Sequence, residues 1–234
     1  MRRIRAFGCS LTQQHHWKYL VKNFSNDLNR QEEGFTEWKQ GNIHLTDYSF
    51  SGCGNDIQHI QYANEVYYEN ILKDDIILWQ LSSPDRVAII NETDTDEHYV
   101  FNRGPRNVFT GEKINILYLK GSMYKHNQRG NTITTYSTLW QLNGVKRNND
   151  KLLVMFGWDS CFVNEEKKEI IKFLKEHDID YIEESILGWS TRHKFFNKGI
   201  NDDIHPPQQG YKSFTEDCLM PKLKKLKWIG YEKN

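Results

Sequence analysis

The chain carries 234 residues, 38% of them hydrophobic and 13% aromatic, enough to bury one substantial core and the size of one generous domain over residues 1–234. Its 31 basic residues balance 31 acidic ones, which excludes recruitment to nucleic acid or an anionic membrane by bulk charge. No run approaches the roughly 20 apolar residues needed to span a bilayer.

In chain order, "IRAF" is a short apolar run that "GCS" closes, the pattern of a buried first strand. Leu11, Trp17, Leu20, Val21 and Phe24 then recur at helical spacing. "NIHLTDYSF" alternates like a second strand, and the turn "SGCGND" leads into residues 57–72, where Ile57, Ile60, Ala63 or Asn64, Tyr67 and Ile71 mark one helical face. "DDIILWQL" is the strongest strand signal, an almost unbroken apolar run of the kind buried on both faces in parallel sheets. It ends in "SSPDR". From about 88 to 130 the pattern weakens into polar, glycine-containing sequence around the apolar "INILYL", which reads as an insertion. A helix over "TITTYSTLWQLNGVKRNND" precedes a fourth buried strand in "KLLVMFGW". The next helix has Ile170, Ile171, Phe173 and Leu174 on one face and charge on the other. A short fifth strand around "DYIE" is followed by an irregular stretch through "GINDDIHPP", and the last helix begins near Pro206 or Pro207.

Strands alternating with helices predict an α/β sandwich around a five-stranded, mainly parallel sheet. In such folds ligands sit beyond the carboxyl ends of the strands. "GCS", "SGCGND" and "SSPDR" each follow a strand, so they converge on one edge.

Ser10 lies where a hydroxyl nucleophile would need to be, after a strand and at the start of a helix whose free N–H groups favour developing negative charge; a helix cap is the plainer role for the same serine. A base is available in "NDDIHPP". Asp202 and His205 are three apart, close enough in a turn for the carboxylate to fix one imidazole tautomer, with Asp203 as an alternative partner. Pro206 biases His205 away from helical conformation, onto a loop at the mouth of the last helix. In "SGCGND", Gly52 and Gly54 permit a tight bend with exposed N–H groups, and Asn55 either donates its amide to an oxyanion or caps the helix.

Together these blocks resemble the SGNH/GDSL hydrolase superfamily. "FGCSL" is similar to the GDSL motif with Cys9 in place of its aspartate, "SGCGND" to the glycine-bearing second block, and "DDIH" to the DxxH block. The resemblance covers nearly the whole chain and implies a flavodoxin-like three-layer α/β/α fold and hydrolysis of esters, often acetyl or acyl groups on carbohydrates or lipids. It assigns Ser10 as nucleophile and oxyanion donor, Gly52 as oxyanion glycine, and Asp202 with His205 as the relay. One block departs: the family has Gly-x-Asn-Asp after its third strand, whereas this chain has "QLSSPDR". Either Asn55 replaces the missing asparagine from the second block, or Ser82 or Ser83 donates instead, or the oxyanion hole is incomplete.

Arg86 either binds an anionic group or pairs with an acidic neighbour, and Trp158 and Asp159, ending the fourth strand, are candidate substrate contacts, with core packing the equal alternative for Trp158. Cys9 is an alternative nucleophile. The four cysteines lie far apart without metal-ligand spacing, so reduced thiols, no metal and no cofactor are expected. "MRRIRAFGCS" is too short in apolar residues for a signal peptide, which predicts a cytoplasmic protein; a phage or virion product would look the same. The expected partner is a small-molecule or glycan ester, with no nucleic acid and no membrane, and no feature sets an oligomeric state. Two rivals share the fold: an acyltransferase using the same serine, and a non-catalytic glycan-binding or structural protein.

Overall fold

The computed structural model describes residues 2–9, 36–40, 43–49, 54–82, 88–90, 116–118, 128–157, 164–195 and 205–230. The strands are β1 (Arg2–Phe7), β2 (Thr36–Gln40), β3 (Ile43–Asp47), β4 (Ile76–Leu81), β5 (Ala88–Ile90), β6 (Ile116–Tyr118), β7 (Lys151–Phe156) and β8 (Asp180–Ser185). The helices are α1 (Asn55–Tyr67), α2 (Gln128–Asn148), α3 (Asn164–Glu176), α4 (Ile186–Arg192), α5 (Gln208–Phe214) and α6 (Met220–Lys225), with a π turn at Thr215–Leu219 between the last two.

The main sheet runs β2-β3-β1-β4-β7-β8. Its last five strands are mutually parallel, and β2 is antiparallel to β3 at the edge. Counted over the parallel strands the order is 2-1-3-4-5, that of flavodoxin-like sheets, with its switch point between β1 and β4. The expected five strands are present. The sixth, β2, was not expected: "TEWKQ" carries four polar or charged residues in five, as suits a strand at the end of the sheet among the described strands.

Period-two alternation divides the core between the two faces. Ile76 and Leu78 of β4 and Leu153 and Met155 of β7 join Ile4 and Ala6 under Ile186 of α4, Tyr211 and Phe214 of α5, and Leu223 of α6. Ile77, Trp79 and Leu81 of β4, with Leu152, Val154 and Phe156 of β7, pack against Tyr62 of α1, Leu142 and Val145 of α2, and Ile170 and Leu174 of α3. These are the outer layers of the sandwich. Within the expected insertion, β5 and β6 pair antiparallel, Ile89 opposite Leu117, and α2 already starts at Gln128.

Two further differences have local causes. The stretch after β8, expected to be irregular, opens with α4; Ser185 caps it by accepting from the Gly188 N–H at 2.9 Å. The final helix is interrupted because Pro221 has no N–H and its ring crowds the carbonyl four residues back. The chain widens before it, and the Met220 N–H reaches back five residues to the Thr215 carbonyl.

At the amino ends of the strands a buried ion pair joins β1 to β4. Asp75, 2% exposed, holds Arg5 at 3.1 Å and Arg3 at 3.1 Å, and accepts from the Leu72 N–H. Arg5 also donates to Thr46 of β3. Removing the carboxylate leaves a buried guanidinium without its counter-charge. Asp75→Ala is therefore expected to cost about 3–5 kcal/mol in urea-induced unfolding, and a loss below about 1 kcal/mol, the range of exposed pairs, would show that the pair is not the tie described.

Candidate active site

The carboxyl ends of β1, β3 and β4 are cross-linked by buried polar contacts. After β1, the Cys9 N–H donates to Gln80 Oε1 at 3.0 Å, and the Cys9 thiol reaches the same oxygen at 3.1 Å. Gln80 in turn donates its amide to the Leu81 carbonyl at 2.5 Å. The residue immediately before Ser10 is thus anchored to the central strand. Cys9 is fully buried and turned to this glutamine, the surroundings of a supporting residue and not of an exposed thiolate.

After β3, Asp47 accepts from the Ser49 N–H at 2.9 Å and Tyr48 donates its N–H to the Ala6 carbonyl of β1. Asn55 is the first helical residue of α1, and its side chain does not cap the helix: Gly54 holds the cap position without a side-chain bond. Instead Asn55 forms a reciprocal pair with the backbone of Ser82, accepting from the Ser82 N–H at 2.8 Å and donating to the Ser82 carbonyl at 3.1 Å. An amide nitrogen has two protons, so one Asn55 N–H remains beyond this clamp. The Ser82 N–H is occupied by Asn55, and Ser82 is fully buried.

His205 lies just before α5, outside any helix, as its following proline requires. Pro207 is the helix cap. The run from Gln208 to Lys225 then crosses the sheet: at its far end Lys222 bonds Asp180, the first residue of β8, at 2.8 Å, and Trp228 borders the same cleft as Arg2, the first residue of β1. His205 therefore opens the crossing helix at the opposite edge, where β1, β3 and β4 end. Near it, Gly210 permits close packing of α5 on α4, since a Cβ there would sit 2.5 Å from Ser190 Oγ.

Ser10, Gly52 and Asp202 lie outside the described residues, as do Ser83, Arg86, Trp158 and Asp159. Among the described residues no cluster of His, Cys, Asp and Glu could hold a metal, and no helix is long and apolar enough to cross a membrane.

Beneath this edge, Phe7 stacks between Tyr48 at 5.1 Å and Trp79 at 5.3 Å. His59 of α1 joins the cluster, 6.3 Å from both Tyr62 and Trp79. Burial holds its imidazole below its ordinary pKa, favouring the neutral form. The Tyr62 hydroxyl, pushed up to about 12 by burial, donates to Asn149.

Sequence reasoning did not single out Gln80 or Gln58. Gln80 is a fully buried amide within "IILWQL", and that interruption of an apolar run was its only signal. Gln58, one turn beyond Asn55, is 1% exposed, with neither amide atom hydrogen-bonded.

No family model matches the sequence, and no curated protein matches it. Solved structures do. The chain is similar to an acetylxylan esterase from Geobacillus stearothermophilus over 99% of its own length and 97% of the other, with a TM-score of 0.55 and 9% identity. The fold is that of this esterase. Protein YXIM of Bacillus subtilis matches over 98% of this chain and 58% of that one, with a TM-score of 0.51 and 12% identity. A member of the lipolytic protein G-D-S-L family from Veillonella parvula matches over 97% of this chain and 98% of that one, with a TM-score of 0.46 and 12% identity. The three-layer architecture implied by the sequence motifs is thus the one observed.

The Gln80 clamp can be tested without substrate. Gln80→Leu removes the acceptor that the buried Cys9 N–H uses and is expected to lower stability by about 1–3 kcal/mol, read from urea unfolding. A change within about 0.5 kcal/mol, typical of an uninvolved site, would mean that the bond does not hold the turn.

Proposed function

We propose that the protein hydrolyses esters through a Ser10, His205, Asp202 triad. The observation that carries this proposal is topological. The ends of β1 and β3 and the loop that opens α5 share one sheet edge, and these segments supply Cys9 next to Ser10, Asn55, and His205. The architecture is that of a solved acetylxylan esterase, studied as catalytic variants in which a histidine or a serine is replaced by alanine. Both residue types are available here in His205 and Ser10.

In this mechanism His205 takes the Ser10 proton as Oγ attacks the ester carbonyl, and Asp202 stabilises the imidazolium that forms. The Ser10 and Gly52 N–H groups, with the second Asn55 amide proton, receive the oxyanion. The clamp on Ser82 would suit Asn55 to this role, because a donor held before the reaction needs no reorganisation when charge develops. The protonated His205 then gives its proton to the leaving alcohol, and water, activated by the same imidazole, releases the acyl group. Ser83, Arg86, Trp158 and Asp159 are assigned to the substrate side of the cleft, whereas Ser82, fully buried and clamped by Asn55, is left to support that clamp; no metal or cofactor enters a step. The substrate class proposed is an O-acetyl or other short acyl ester on a carbohydrate or lipid.

The test is hydrolysis of p-nitrophenyl acetate and of an acetylated-sugar panel. Ser10→Ala and His205→Ala are each expected to lower kcat/KM by at least about a thousandfold. Wild type and variants equally inert across both sets would point to the non-catalytic protein on this fold. Transfer to added sugar acceptors with little hydrolysis would identify an acyltransferase.

A further inference from the structure

The amino-terminal edge of the sheet, one strand length or about 20 Å from the candidate active site, carries an open cleft of about 870 Å³. Its walls hold Arg2 and Arg3 of β1, Lys73 of the turn before β4, Lys151 at the start of β7, and Lys227 after α6. The carboxylates among its lining residues are Asp74 and Asp75.

The charges are not balanced locally. Asp75 is shared between Arg3 and the buried Arg5 behind it, so one negative charge faces two guanidinium groups. Other cationic contacts are to neutral acceptors: Arg3 donates to the Asn70 carbonyl, and Lys151 reaches the Asp74 carbonyl at 3.3 Å. These contacts orient the cations without neutralising them. Burial, and then the neighbouring charge of Arg5, hold the Arg3 guanidinium below its ordinary pKa, as expected where positive charge is crowded. A Cβ at Gly230 would lie 3.2 Å from Arg2 Nη1, so the glycine leaves room for that guanidinium.

The cleft also has apolar wall. Trp228 is partly buried and packs on the core, and Leu72 is 48% exposed on the same lining. A single inorganic ion would use little of this space, whereas the volume falls in the range of about 300–1,000 Å³ typical of small-molecule sites. Several cations spaced along one wall suit a chain of phosphates, since the guanidinium fork matches phosphate oxygens and lysine adds compact charge.

We propose that this cleft binds a nucleoside triphosphate or a closely similar polyanion, with its phosphates against Arg2, Arg3 and the three lysines and its aromatic body against Trp228 and Leu72. The site is separate from the proposed triad and needs no chemistry.

The experiment is calorimetric titration of the full chain with ATP, tripolyphosphate and adenosine at about 150 mM salt, where the screening length is about 8 Å. ATP is expected to bind with a Kd below about 0.1 mM, tripolyphosphate more weakly, and adenosine not measurably. The exposed double variant Lys73→Glu/Lys227→Glu should weaken ATP binding at least about tenfold with an unchanged thermal midpoint. Trp228→Phe should weaken ATP while leaving tripolyphosphate unchanged. No ATP binding at about 5 mM, or binding indifferent to the double variant, would overturn the site; tripolyphosphate binding as tightly as ATP would overturn the assigned aromatic contact.

Discussion

Five parallel strands, the central ones β4 and β7 buried on both faces, impose the constraint from which the rest follows. A parallel pair cannot be closed by a tight turn, so each strand must be followed by a crossing connection that starts at its carboxyl end. The segments after β1, β3 and β4 consequently begin at one edge, and the order β3-β1-β4-β7-β8 puts the switch point between β1 and β4. Chemistry at such an edge can be assembled from residues nearly two hundred positions apart, because the sheet, and not the sequence, sets their distance.

Burying a sheet on both faces leaves few polar groups inside, and those present are concentrated at its two ends. At the amino end, Asp75 ties Arg3 and Arg5 and joins β1 to β4. At the carboxyl end the same two strands are joined by Gln80 and Cys9, while Asn55 binds the backbone of Ser82 from α1. Low-dielectric surroundings make such pairs strong when complete and costly when broken. The central strands are thereby fixed in register at both ends, and the chain leaves β1 toward Ser10 from an anchored residue, Cys9.

The architecture was legible because β4 and β7 are nearly continuous apolar runs and α3 divides into apolar and charged faces. Where local pattern conflicts with tertiary context, it was not. β2 is an edge strand with Glu37 and Lys39, so no alternation marks it as half-buried. α4 contains Gly188 and follows β8 without a break, and its cap Ser185 is also the last strand residue. At the candidate site, the loop position of His205 followed from Pro206, but the partner of Asn55 did not follow from any spacing: it is the backbone of a residue 27 positions away. Gln80 was hidden for the same reason, since only the folded sheet places its amide beside Cys9.

The most direct measurement of the central claim is covalent labelling by a fluorophosphonate, followed by mass mapping of the modified peptide. A triad served by an oxyanion hole predicts a single phosphonyl adduct on Ser10, formed at native pH and lost on unfolding. An adduct on a different residue, or none under conditions that label a known serine esterase, would contradict it.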